Sequence, residues 1–371
     1  MTATVPFVDL GASVREIRHE LNEAIARVLD SGWFVLGPEC EALEAELADC
    51  FGVRCVVTTG NGTDSIQLAL EALGVGPGDE VVTTPMSAAF TVLAIERAGA
   101  RAVFADVEED TLNLNPEAAE RALTKRTRAL LPVHLYGHPA EIESLGALAR
   151  SAGIPLVEDA CQAHGARYRD RKIGSFGAAS ALSFYPTKNL GALGDGGAML
   201  TNDPRLADRV RRLRNGGQSD RYRHTEIGVN SRLDELQAAV LRVQLRHLTE
   251  STRRRRELAG LYEELLADVP VELPSERADV FAVRHLYVIR HPRRDALRER
   301  LERRGIGTLI HYPIPLHLQP AFAGLGGEQG QFPIAEQAAK EILSLPLYPQ
   351  LGEDGVRTVA AAVREAVIEI G

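Results

Sequence analysis

Cysteine is scarce and unpatterned in this chain. There are four, Cys40, Cys50, Cys55 and Cys161, with no CxxC spacing and no paired histidine pattern. That argues against a zinc site or any other metal, and against a disulfide framework, and it predicts a reducing, cytoplasmic compartment. No apolar run is long enough to read as a bilayer-crossing helix. The first residues, MTATVPFVDL, lack a basic stretch followed by an apolar core, so they do not read as a secretory signal. Positive charge is not in surplus either. A formal net charge of −9 argues against a general nucleic-acid or anionic-membrane binder, while leaving room for a local basic pocket for a phosphorylated small molecule. Internal repeats and low-complexity linkers are missing. Lysine is also rare: four of the 42 basic residues, Lys125, Lys172, Lys188 and Lys340. Of these, only Lys188 stands between an apolar segment and a glycine-rich loop, SFYPTKNLGALGDGG.

What is present is an ordinary globular composition, 45% hydrophobic and 25% charged over 371 residues, enough for one large domain and a smaller one. Helix and strand signals alternate in the first two thirds. Ser13 and Glu16 form a candidate capping box for a helix to about Leu29. Pro38 opens and Gly52 closes the next helix. VRCVVTT, EVVTT, ARAVFADV, RALLPVHL, IPLVEDA, ASALSFY and AMLTN read as strands, with helices such as GTDSIQLALEALG and SAAFTVLAIERAG between them. Strand–helix–strand with short connections predicts right-handed crossovers and a mainly parallel sheet flanked by helices. A long helical pattern starts near Ser231, followed by VRHLYVIR and IGTLIHY as strands and further helices. The expected division is 1–245 for a large domain with an N-terminal arm and 246–371 for a small C-terminal α/β domain. The run Arg253 to Arg256, between Glu250 and Glu257, reads as a solvated helix face, with a phosphate role as the alternative.

Ligands on such sheets sit beyond the carboxyl ends of strands. Three stretches qualify. At Lys188 the glycines follow the lysine, whereas a Walker loop has them before it, so a P-loop is a poor reading. The alternative there is a lysine snorkelling at a strand end. In TTGNGTDSIQLAL, Gly60 and Gly62 permit a tight turn, and the N–H groups of Thr63 and Asp64 at the helix start suit a phosphate. A plain N-cap is the alternative. LVEDACQAHGA puts Glu158 and Asp159 after an apolar strand, where a carboxylate needs a cationic partner or a set of donors. Together the three supply a phosphate cup, an acid for a pyridinium nitrogen and a lysine to hold an aldehyde as a Schiff base. Those are the parts of a pyridoxal phosphate (PLP) site. Arginine could not replace Lys188, because it stays protonated and is a poor nucleophile.

The ordered set NGTDSIQLAL, VEDACQAHGA, SFYPTKNLGALGDGGAML, RNGG, GVNSRLDELQAAVL and IHYPIPLHLQP resembles the DegT/StrS family of PLP-dependent nucleotide-sugar aminotransferases, over nearly the whole chain. The resemblance implies PLP transferase fold type I, with a mainly parallel seven-stranded sheet. It implies that Lys188 carries the cofactor, Asp159 pairs with the ring nitrogen, and Gln162 lies near the ring hydroxyl. It implies phosphate binding by Thr63, Asp64 and Ser183 at the Gly62 helix start, with Asn230 reaching the cofactor of the neighbouring subunit of a homodimer. His164, His311, Tyr312 and His317 would lie towards the sugar nucleotide. The family commonly stacks an aromatic residue on the ring, and by spacing from Pro85 that position is Ala88 here. Phe90 is the local aromatic, and it either stacks from a shifted position or belongs to the core. The implied reaction moves an amino group from an amino acid, L-glutamate, to C3 of a dTDP-3-keto-6-deoxyhexose in deoxyaminosugar biosynthesis, as in antibiotic pathways. The alternatives are C4 amination of an NDP-4-keto-6-deoxyhexose, a cyclitol aminotransferase, and a non-catalytic regulatory homologue. The intact Lys188, Asp159 and Ser183 set argues against the last, and Lys188 argues against the family's dehydratases.

Overall fold

Short runs rich in Val, Thr, Ala and Leu, buried on both faces, build the central sheet of the computed structural model, which describes residues 5–371. Its strands are β1 (Cys55–Thr59), β2 (Glu80–Thr83), β3 (Arg101–Phe104), β4 (Thr127–Leu130), β5 (Val157–Asp159), β6 (Ala179–Ser183) and β7 (Gly197–Thr201). The seven lie in the order β1-β7-β6-β5-β4-β2-β3, with β4 joined to β5 by the parallel bridges Leu130–Leu156 and Val133–Asp159. Only β7 runs antiparallel to its neighbours. The expected mainly parallel seven-stranded sheet is therefore present.

Side chains alternate across it. Val56, Val82, Leu130, Leu182 and Leu200 face one helical layer, with Leu43, Leu47 and Phe51. Val57, Val81, Ala129, Val157 and Met199 face the other, with Ile66 and Leu70. Each fully buried Leu, Ile or Phe contributes about 1.5–3 kcal/mol to holding the layers. Glu158 brings a carboxylate into this core. It is fully buried on β5, and its carboxylate accepts from His134 Nε2 (3.2 Å) and the N–H groups of Gly174 (2.9 Å), Phe176 and Gly177 (both 2.8 Å).

The long helix, here αL (Glu235–Leu266), runs out of this body. Its first half packs on the helices Arg18–Ser31 and Pro38–Phe51, through Ala239 and Val243 in one case and Ala238 and Leu241 in the other. Its second half enters a separate core in which Tyr262 stacks on Tyr287 at 4.8 Å beside Leu345 and Val363. That core joins β8 (Tyr287–Arg290), antiparallel to β9 (Ile342–Leu345), with the helices Arg294–Arg303 and Gly352–Ile370. The expected boundary at 245/246 falls inside αL.

Three local expectations are corrected. The first helix is capped by Asp9, whose Oδ1 accepts the Ala12 N–H at 2.8 Å, so Ser13 lies inside the helix Leu10–Glu16. Glu16 instead binds Arg254 and Gln350, both at 2.7 Å. IGTLIHY is not a continuous strand, because it changes partners: Ile306 bridges Val5 and Leu309 bridges Ser344. The arginine run is not one solvated face. Arg253, Arg254 and Arg256 pair with Glu250, Glu16 and Glu276, but Arg255 is buried.

Candidate active site

The carboxyl ends of β1, β5 and β6 open on the same edge of the sheet. After β1 the chain turns at Gly60 and Asn61 into the helix Gly62–Ala72. Asn61 caps it, its Oδ1 accepting the Asp64 N–H at 2.8 Å. The Asp64 carboxylate accepts from Ser231 Oγ (2.6 Å) and Asn61 Nδ2 (3.0 Å) and faces Arg97 at 3.5 Å. Both polar groups of Asp64 are thus engaged within the protein. The Gly62 and Thr63 N–H groups and the Thr63 hydroxyl have no partner among the described residues. They are the donors left at this positive helix end.

Gly62 fits where no side chain would. A Cβ there would lie 2.7 Å from the Ser183 Cβ and 2.9 Å from the Cys161 Sγ. The helix start, the end of β6 and the residue two beyond Asp159 therefore meet at one point. A Cβ on Gly197 would lie 2.4 Å from the Asn61 carbonyl, so this glycine serves packing beneath the helix start.

Asp159 is 4% exposed. Its Oδ2 accepts from Thr91 Oγ1 at 2.8 Å and its Oδ1 from the Cys161 N–H at 3.2 Å. Ser87 Oγ lies 2.9 Å from Thr91 Oγ1, and because Thr91 donates to Asp159, Ser87 donates to Thr91. Lys188 follows β6 in a turn closed by its own N–H to the Tyr185 carbonyl at 2.8 Å. Asn189 pins this loop, donating to the Val283 carbonyl (3.0 Å) and meeting His285 Nδ1 (3.2 Å). Lys188 is half-buried by surface area. Its amine is nevertheless packed closely enough that desolvation lowers its pKa, against the opposing influence of Cys161 and Asp159. A larger fraction of neutral amine is available at neutral pH as a result.

Gln162 bridges two tyrosines: its Oε1 accepts the Tyr136 N–H at 2.7 Å and its Nε2 donates to the Tyr312 hydroxyl at 3.4 Å. Burial and the nearby Asp159 push the Tyr312 phenol well above its usual range. His311 Nδ1 meets Ser344 Oγ at 2.8 Å, and burial, aided by Lys188, drives its pKa down to about 4.

Two histidines expected towards the sugar are not on open surface. His164 is fully buried 6.0 Å from the Phe184 ring, and among the described residues neither ring nitrogen makes a hydrogen bond of standard geometry. His317 is buried against Phe332 at 4.7 Å and bonds Glu336 Oε1 at 3.1 Å. Phe90 is 62% exposed on the first turn of the helix Ala89–Arg97, so it is not a core residue. Asn230 is exposed, next to Ser231, whose Oγ accepts the Gly60 N–H at 2.9 Å. Sequence reasoning did not find Thr91, Ser231, Tyr136 or the Asn189–His285 contact. The only available hint was the i, i+4 spacing of Ser87 and Thr91.

The buried histidines predict acid lability. Burial and Lys188 push His164 down to about 3 from an ordinary 6.5. Between those values the unfolded chain binds a proton that the native state refuses, so stability is intact above pH 6.5 and lost as the pH falls through the window. His311 acts in the same direction. Urea midpoints measured across this range should fall with pH, and His164→Phe should flatten the slope. An unchanged slope would contradict the assignment.

The set fits PLP: a buried carboxylate, an amine of lowered pKa and a helix start with free donors, around a glycine that keeps the floor clear. This is the architecture of the PLP-dependent transferases of fold type I. Within them, the chain belongs to the DegT/DnrJ/EryC1/StrS aminotransferase family, whose model matches residues 15–364. It is 50% identical, over 98% of this chain and 96% of the other, to the dTDP-3-amino-3,4,6-trideoxy-alpha-D-glucose transaminase of Streptomyces venezuelae. It is also 50% identical, over 97% of this chain and 99% of the other, to the erythromycin biosynthesis sensory transduction protein EryC1 of Saccharopolyspora erythraea. The crystal structure of S. venezuelae DesV in complex with a ketimine intermediate superposes with a TM-score of 0.97 at 50% identity, covering 99% of both chains.

Proposed function

We propose that this aminotransferase moves the amino group of L-glutamate to C3 of a dTDP-linked 3-keto-6-deoxyhexose, in deoxyaminosugar biosynthesis such as that of antibiotics. The observation that carries the choice of carbon and nucleotide is the 50% identity, over 98% of the chain, to a relative named for a dTDP-3-amino sugar. The retained Lys188 and Asp159 favour catalysis over the regulatory role that the name of the second relative suggests.

When bound, PLP supplies a carbonyl that takes up the amino group and a conjugated ring that holds the electron pair left at the donor carbon. The chain's residues do the rest. The Lys188 amine takes the proton from the donor's Cα and returns one at the acceptor carbon. The Asp159 carboxylate, fixed by Thr91 and the Cys161 N–H, keeps the ring nitrogen protonated. The free Gly62 and Thr63 N–H groups and the Thr63 and Ser183 hydroxyls hold the phosphate. Gln162 lies near the ring hydroxyl. Neutral His311 and Tyr312 orient the sugar by hydrogen bonds, and Phe90 covers the ring from its exposed turn. The working unit is a cytoplasmic homodimer, in which Asn230 completes the partner's phosphate site. No described helix is long and apolar enough to cross a membrane.

The test offers pyridoxamine-loaded enzyme a panel of dTDP- and UDP-linked 3-keto and 4-keto sugars and scyllo-inosose, with products read by mass spectrometry. The dTDP-3-keto sugar should be aminated far faster than the others. A 4-keto or cyclitol product alone would replace this reading with the corresponding alternative, and no product from any would favour the regulatory one. Mixing inactive Lys188→Ala and Asn230→Ala protomers should restore about one quarter of the wild-type activity, because half the dimers then carry one intact shared site. No recovery after verified subunit exchange would sink the shared site.

A further inference from the structure

Arg255 is a cation without a counter-charge. It projects from αL and is 7% exposed. Its neighbours in the arginine run each pair with a glutamate. Arg255 has no carboxylate among the described residues: its Nη1 donates to the carbonyls of Leu347 (2.8 Å) and His285 (3.4 Å), and its Nε has no partner. Residues 1–4, Met-Thr-Ala-Thr, carry no carboxylate side chain. Burial lowers its pKa to about 10, which leaves it charged at neutral pH. A buried cation held only by two carbonyls is a costly arrangement, and an anion would relieve it.

Arg255 lines a cavity of about 80 Å³ beside the lysine loop. The other walls are the helix Leu10–Glu16, the loop from Pro186 to Leu193, and the turn at Tyr348 to Gln350. Arg255 is its guanidinium, Asp9 its carboxylate, and Lys188 borders it from the loop. Asp9 is already engaged as the helix cap and faces Arg15 at 3.4 Å. Ser13, Gln244 and Ser251 bring neutral polar groups to the same walls. One water needs roughly 10–15 Å³ of such space, so the cavity takes several waters or one carboxylate or phosphate group. Asp159, Thr63 and Ser183 do not line it.

We propose that this cavity is an oxyanion site, in which the Arg255 guanidinium binds inorganic phosphate or a small carboxylate and ties the N-terminal helix to the lysine loop. The planar fork of arginine suits either group. An anion bound only to the folded state raises the unfolding midpoint saturably.

The test uses PLP-loaded enzyme with saturating dTDP, so that the cofactor and nucleotide sites are both filled. Unfolding midpoints are measured against inorganic phosphate and against acetate, with chloride at matched ionic strength as the baseline. Wild type should respond saturably to at least one oxyanion, and which one identifies a phosphate or a carboxylate ligand. Arg255→Lys should weaken half-saturation about tenfold, the loss of one charge-assisted hydrogen bond. Arg255→Met and the cavity-filling Ser251→Leu should abolish the response. Ser251→Leu leaves the arginine in place, and it decides the matter if Arg255→Met does not fold. No saturable response in wild type, or an undiminished one in Ser251→Leu, would overturn the proposal.

Discussion

Lys188→Ala is expected to yield folded protein that turns over on the order of 10⁴-fold more slowly, or not measurably. The magnitude follows from the two tasks assigned to one amine, carrying the cofactor and moving the proton. The pocket does not supply a substitute. His164, His285 and His311 surround the lysine, and burial lowers the pKa of all three, but His164 is sealed off and His311 is tied to Ser344. Lys188→Arg should be nearly as slow, because guanidinium stays protonated. Borohydride should fix the cofactor mass to the Lys188 peptide in wild type and to no peptide in the alanine variant. Near-normal turnover in the variant, or fixation at another lysine, would refute the role.

Asp159→Asn is expected to retain cofactor and lose about 10²–10³-fold in kcat, the usual scale for removing one preorganised electrostatic partner. Asparagine keeps the shape, but its single oxygen can accept from only one of Thr91 and the Cys161 N–H, and it has no charge to hold a proton on the ring nitrogen. Thr91→Val tests the same chain of bonds from behind. Losing one hydrogen bond to a charged group, about 1.5 kcal/mol, should cost about tenfold in kcat. It should also shift the pH at which the bound cofactor's visible spectrum titrates, a readout that a purely structural role would leave unmoved. Asp159→Asn with wild-type kcat would overturn the electron-sink assignment.

The sheet was legible because its strands are short, apolar and bounded by Gly, Pro and capping residues. VRCVVTT and AMLTN have nowhere to go but a buried sheet. Strand order was less accessible, since the sequence does not say that β7 turns back between β1 and β6. The site was legible where chemistry restricts the residue, as at Lys188 and Asp159, and where close approach demands glycine, as at Gly62. It was illegible where a residue's direction matters more than its type. His164 and His317 share their composition with His311, and only packing separates them. Thr91 looks like any helical threonine until β5 is placed beside it. Nor does the sequence say that Asn61 takes the Asp64 N–H and Ser231 its carboxylate.

The strand order also bears on how the protein is made. Val57 in β1 pairs with Met199 in β7, and Gly197 lies against Asn61. The floor of the phosphate cup therefore joins segments far apart along the chain, and a ribosome must pass residue 201 before that floor can close. Contacts of such long sequence separation form late and slowly. Added cofactor should accordingly leave the refolding rate unchanged and act only by slowing unfolding, so PLP serves as a lock on the finished protein rather than a template for building it.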